Sequence, residues 1–205
     1  MDLNYGAILV NRYEILDALP PYGQMAIPMV ADGEVFVSEG YVIKFYKDDG
    51  DFWIGNFPKG MTNLFDVKSY QNSPLILVIS GGDGYLINPN TPKVLGRFEY
   101  MALELLEWQN NQLILATYDK VMIIDSNGAT VWDIKLDISD GIKDLSIQDD
   151  ILYGYAYDIY SYDQDNPWIK FQINLLTREL LWIDEPFIYK PKISWIQKLY
   201  RLFYR

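Results

Sequence analysis

The chain has 205 residues, half of them hydrophobic and 16% aromatic. That is enough apolar surface for the core of one domain and too much for a disordered chain. It contains no Cys and no His, which excludes disulfides, cysteine nucleophiles, Ser-His-Asp triads and His- or Cys-ligated zinc within this chain. The net charge of −11 repels nucleic-acid phosphates and favours basic partners, mainly through faster encounter.

At the N-terminus, Met1–Tyr5 carries no basic region, and the apolar stretch Ile8-Leu9-Val10 is broken by Asn11 and Arg12. A signal peptide needs a longer apolar run, and a membrane span needs roughly 18 apolar residues. The expectation is a soluble cytoplasmic protein without stable membrane insertion. Residues 6–19 fit helix or strand equally; as a strand they would complete the last unit of the array described next and close it.

Four segments share an outline of an apolar β-rich run, a polar turn, a second run ending near Asp or Asn, another turn, and a third run with an aromatic. The first takes Gly33–Val37, Tyr41–Tyr46, the turn Asp48-Asp49-Gly50 and Phe52-Trp53-Ile54. The second takes Leu75–Ile79, Tyr85–Asn88, the turn Pro89–Pro92 and Val94–Phe98. Between its first two runs, Gly81-Gly82-Asp83-Gly84 precedes a strand rather than a helix, so it reads as a hairpin turn and not as a phosphate loop. The third unit is the cleanest, with Gln112–Thr117, Val121–Asp125, Ser126-Asn127-Gly128 and Ala129–Trp132. In the fourth, a long run begins at Ile151, and Phe171–Asn174, Leu175–Thr177 and Glu179–Trp182 repeat the third unit's ending. Met101–Trp108 has good helix propensity, but it precedes the third unit as Ile142–Ile147 precedes the fourth, which predicts a strand. Aligning Val35, Ile76, Ile114 and Leu152 gives spacings of 41, 38 and 38. This is a propeller-blade period, in which small sheets cover one another's faces.

Ile123–Trp132 and Ile173–Trp182 each run as an apolar strand ending in Asp or Asn, a tight turn, and a strand ending in Trp. This pattern resembles blades of the quinoprotein-like and WD-like β-propeller repeat superfamily. The resemblance implies an all-β, propeller-like array; this chain has material for four blades, five at most. It shows no quinone-site constellation, so no cofactor is carried over. The expected organisation is a β-propeller-like domain over 1–189 followed by a basic amphipathic C-terminal helix over 190–205.

Candidate sites follow from exposed chemistry. Asp48, Asp49 and Asp51 crowd one turn, but Trp53 falls where a calcium loop needs a ligand, so they read as an acidic surface turn with Trp53 beside it. Asp163 and Asp165 form a second acidic loop. Tyr153, Tyr155 and Tyr157 alternate with small residues and share one strand face, extended by Tyr160 and Tyr162; such rings suit protein contacts. In the last segment Lys198, Arg201 and Arg205 would share one helix side, and Trp195, Ile196, Leu199, Leu202 and Phe203 the other. That helix would lie on its own acidic body, on an anionic membrane surface or on a partner. The reading is a non-enzymatic protein-binding module without metal or cofactor and with a basic partner, in its sharpest form an immunity-type inhibitor of a basic toxin. The alternatives are a carbohydrate-binding or glycoside-acting propeller, with Trp53, Trp168 and the tyrosines as stacking platforms, and a membrane-surface scaffold held by the C-terminal helix.

Overall fold

The computed structural model describes residues 12–30, 39–70, 73–137, 139–161 and 165–184. Among them, sixteen strands form four four-stranded sheets in chain order. The first sheet holds β1 (Tyr13–Leu16), β2 (Ile27–Pro28), β3 (Tyr41–Tyr46) and β4 (Phe52–Phe57), in the order β1-β3-β4-β2. Its β2–β4 pair is parallel and the rest is antiparallel. The second is a plain meander of β5 (Phe65–Ser69), β6 (Ile76–Ser80), β7 (Asp83–Ile87) and β8 (Val94–Phe98). So is the third, β9 (Glu104–Trp108), β10 (Gln112–Ala116), β11 (Lys120–Ile124) and β12 (Thr130–Lys135). The fourth runs β13 (Ser139–Gln148), β14 (Ile151–Asp158), β15 (Trp168–Asn174) and β16 (Glu179–Trp182).

The apolar runs of the middle sheets lack polar alternation because each sheet serves two interfaces. In β6, Ile76 and Val78 pack towards the first sheet, while Leu77 and Ile79 pack towards the third. In β10, Leu113 and Leu115 face the second sheet, while Ile114 and Ala116 face the fourth. Period two sends neighbouring side chains to opposite faces, and burying each Leu or Ile is worth about 1.5–3 kcal/mol. Stacking therefore outweighs any demand for a polar face. In β14, among the described residues, one face is covered this way: Leu152, Gly154 and Ala156 are buried, and the residues between them are half-buried.

The Asp or Asn ending the third strand of a unit has a local cause. Asp125 Oδ1 accepts the N–H groups of Asn127 (2.8 Å) and Ala129 (3.0 Å). Asn174 Oδ1 accepts those of Leu176 (3.0 Å) and Thr177 (2.8 Å), and Asn88 Oδ1 accepts that of Asn90. These side chains close the turn by imitating its backbone. The tryptophans that follow, Trp132 and Trp182, pack into the cluster between the third and fourth sheets.

The Gly81-Gly82 hairpin has φ of +60° and +86°, the double left-handed geometry that matches strand twist. A Cβ on Gly81 would lie 1.8 Å from the Lys59 carbonyl oxygen. Gly81→Ala is expected to cost about 1–3 kcal/mol from the backbone conformation alone, with the Lys59 clash in addition. Urea denaturation measures this, and an unchanged midpoint would contradict it.

The first strands of the second, third and fourth sheets are tied to one another by polar contacts. Lys68 bridges Asp66 (3.0 Å) and Glu107 (2.7 Å), while the Glu104 carboxylate accepts the N–H groups of Asp144 (2.8 Å) and Leu145 (2.9 Å). Burial alone would lower the Lys68 ammonium, but its hydrogen bonds to Glu107 and Asp66 outweigh this and hold it above its usual value. Burial pushes the Tyr70 hydroxyl up to about 12 and that of Tyr100 higher still. All three groups bind their proton more tightly when folded, so their contribution is full below about pH 10 and falls as pH rises beyond it. In Tyr100→Phe this alkaline loss should become shallower; an identical slope in stability against pH between 10 and 12 would refute the assignment.

The strand expected from Met101–Trp108 is present as β9, and that from Ile142–Ile147 lies within β13. For residues 6–19 the strand alternative holds over Tyr13–Leu16, but in another sheet than the last. Their described part forms β1, which pairs with β3 of the first sheet (Tyr13 opposite Phe45) rather than completing the last. The reason is packing: the Tyr13 ring joins the core between the first and second sheets, and its hydroxyl donates to the Val67 carbonyl. The Gly33–Val37 run and the 190–205 helix lie outside the described residues.

Candidate functional site

The connections between sheets and the middle hairpin turn of each meander, β6–β7 and β10–β11, gather at one end of the array. Met61 and Thr62, between the first and second sheets, donate N–H groups to the Gly81 carbonyl (3.1 and 3.0 Å). The Thr62 hydroxyl donates to the Ala102 carbonyl (2.7 Å), and the Ala102 N–H donates to that of Gly82 (3.0 Å). Further along, the Leu103 N–H reaches Ala116 (2.7 Å), the Leu136 N–H reaches Asp119 (2.7 Å), and the Ser139 hydroxyl reaches the Tyr118 carbonyl (3.0 Å). Asp158, opposite Ser139 across β13 and β14, caps the next turn by accepting the Tyr160 N–H (2.8 Å). A hydrogen-bonded chain thus spans this linker end from the exit of the first sheet to the fourth.

Because the backbone there is satisfied internally, its side chains are left to solvent. Met61, Met101, Tyr118, Ile159 and Tyr160 are all exposed. Met101 has φ of +54°, a left-handed conformation that costs a residue with a Cβ free energy and recurs at functional sites. The same linker and turn segments and the adjoining strand ends carry Asp83, Glu99, Asp119, Asp137, Asp140 and Asp165, against Lys59, Arg97, Lys120 and Lys135, with Arg97 paired to Asp83 and Lys135 to Asp137. Burial pushes the Asp83 carboxyl up; the Met101 N–H and Arg97 (3.8 Å) oppose that shift. The result is an apolar, methionine- and tyrosine-bearing surface with an acidic surround.

The residues singled out in the sequence are dispersed over the fold. Asp48, Asp49 and Asp51 occupy the turn at the start of β4, the opposite end of that strand from the linker. They are engaged locally. Asp48 accepts from Asn90 (2.8 Å), Asp49 accepts the Asp51 N–H (2.9 Å), and Asp51 pairs with Lys47 (2.8 Å), whose hydrogen bond holds its carboxyl below the usual value. Trp53 is 1% exposed, stacked on Phe45, and its indole N–H donates to the Pro89 carbonyl (2.6 Å). It belongs to the core and offers no surface to a partner or a sugar, because alternation in β4 points it at the second sheet.

Tyr153, Tyr155 and Tyr157 are half-buried on the β14 face turned away from the third sheet. Trp168 meets Tyr157 edge-on, Lys143 lies 4.0 Å above the Trp168 ring, and Lys170 lies 5.7 Å from that of Tyr155. Two cations thus stand on this face, one of them, Lys143, 4.0 Å from the Asp144 carboxylate. Tyr160 and Asp165 lie at the linker end; Tyr162, Asp163, Trp195, Lys198, Arg201 and Arg205 lie outside the described residues. Met61, Met101, Tyr118 and Ile159 were missed by sequence reasoning. Their only signal was large apolar side chains inside turn and linker segments.

Among the described residues no group of three or more His, Cys, Asp or Glu side chains is placed to hold a metal ion, and no helix is long and apolar enough to cross a membrane.

No family model matches the chain, and no curated protein matches it. Among solved structures it is similar to a protein of unknown function from Bacteroides caccae, at 13% identity and a TM-score of 0.41, over 70% of this chain and 58% of that one. It is similar to the Neurospora crassa Pan2 WD40 domain at 13% identity and a TM-score of 0.40, over 72% and 49%. A third similar structure is BBS1N in complex with ARL6DN, at 12% identity and a TM-score of 0.38, over 72% and 50%. The chain spans about half the length of the solved structures it matches.

Proposed function

We propose that this protein is a non-enzymatic binding module whose linker end docks onto a basic protein. The observation that carries this reading is the gathering of Met61, Met101, Tyr118, Ile159 and Tyr160 at one end, all exposed, one of them held in a costly backbone conformation. Methionine adapts to varied contacts and tyrosine buries area while keeping a polar tip. The acids around them favour a partner whose apolar anchor is ringed by Lys or Arg. An immunity-type inhibitor that covers the active site of a basic toxin fits this chemistry, because such toxins need cations to hold nucleic acid.

The test compares the wild-type protein with Tyr118→Asp/Tyr160→Asp as affinity baits, and with Leu176→Glu as a control in the β15–β16 turn. A basic protein retained by the wild type and the control but not by the double variant supports the reading. Equal retention by all three contradicts it. Sugar binding or hydrolysis, removed by changing Trp168, would replace it.

A further inference from the structure

Resting on that reading, we infer that Met61 and Met101 are oxidation sites that make the linker end sensitive to peroxide. The chain has six methionines and no cysteine, so thioether sulfur is its main target for mild two-electron oxidants. Exposure sorts the described methionines sharply. Met29 is 1% exposed and Met122 is 3% exposed, each inside a core cluster. Met61 is 77% exposed, Met101 41% and Met25 87%. Among the described residues, two of the three accessible thioethers therefore stand on the surface assigned to partner binding, and Met25, in the segment before β2, provides an internal comparison.

Hydrogen peroxide delivers one oxygen to the methionine sulfur: the S–O bond forms as the O–O bond breaks. The second oxygen leaves as water with both peroxide protons. Sulfur is oxidised by two electrons and the peroxide is reduced. Each sulfoxide places a strong dipole where an apolar anchor stood, and methionine sulfoxide reductases can reverse the change. Because both side chains project into solvent, the fold loses no core packing. The surface becomes polar while the sheets stay intact.

The experiment treats the full chain with hydrogen peroxide and maps sulfoxide at each methionine by peptide mass spectrometry. In parallel it follows bis-ANS fluorescence as a partner-free readout of apolar surface, and the urea midpoint. Met61 and Met101 should oxidise at least tenfold faster than Met29 and Met122. Bis-ANS binding should fall several-fold with an unchanged urea midpoint, and Met61→Leu/Met101→Leu should abolish the fall while Met25 still oxidises. Comparable oxidation of Met29 and Met122, or an equal loss of bis-ANS binding in the double leucine variant, would overturn the inference. A partner-binding defect in the Tyr118→Asp/Tyr160→Asp variant is scored separately, so failure of the protein-docking reading would be recognised as such.

Discussion

Trp53→Ala is expected to lower folding stability by about 3–5 kcal/mol, a large part of what a domain of this size retains. The ring is the largest of the fully buried side chains. It stacks on Phe45 at 4.5 Å, with Phe57 beyond, and so fills the space between the first and second sheets. Truncation would leave a cavity and also orphan the Pro89 carbonyl, which the indole N–H satisfies across 36 residues of chain. Trp53→Phe keeps most of the packing and should cost much less, chiefly the lost hydrogen bond at about 1 kcal/mol. Urea denaturation followed by circular dichroism separates the two variants. An alanine effect below 1 kcal/mol would return Trp53 to the surface and reopen its role as a contact residue.

Tyr118→Asp/Tyr160→Asp should weaken partner binding about 100-fold or more while leaving the urea midpoint nearly unchanged. Tyrosines that become hot spots at the centre of an interface contribute about 2 kcal/mol or more each, and a carboxylate in their place would be desolvated against the apolar anchor itself, inside the ring of cations rather than beside it. Both side chains are exposed in the free protein, so the fold itself loses little. Titration calorimetry with the captured partner measures the effect. A change smaller than fivefold would move the docking surface elsewhere, and the lysine-bearing tyrosine face of β14 would become the next candidate for an acidic partner.

The sheet array was legible because its signals are local. Asp125 and Asn174 cap tight turns, Gly81-Gly82 closes a two-residue hairpin, and Ile76–Ser80 is apolar on both faces because both are covered. The placement of β1 was not legible. Tyr13-Glu14-Ile15-Leu16 carries no mark of which sheet will pair with it, and the choice is made by the long-range contact of Tyr13 with Val67. For Trp53, turn acidity suggested a surface position, whereas strand alternation set by Phe45 and Phe57 turned the ring inward. The candidate surface was the least legible part. Met61, Met101 and Tyr118 are distant in sequence; the strand order carries their segments to one end, and the hydrogen bonds linking Gly81, Ala102 and Ser139 to their neighbours tie them together there.

Site-specific photo-crosslinking in the native cell tests the docking surface most directly. A photoreactive amino acid placed at Tyr118 or Met61 is expected to trap a basic protein, and the same group at Asn127, in the β11–β12 turn, should trap none. Efficient trapping at Asn127 with none at Tyr118 or Met61 would contradict docking through the linker end.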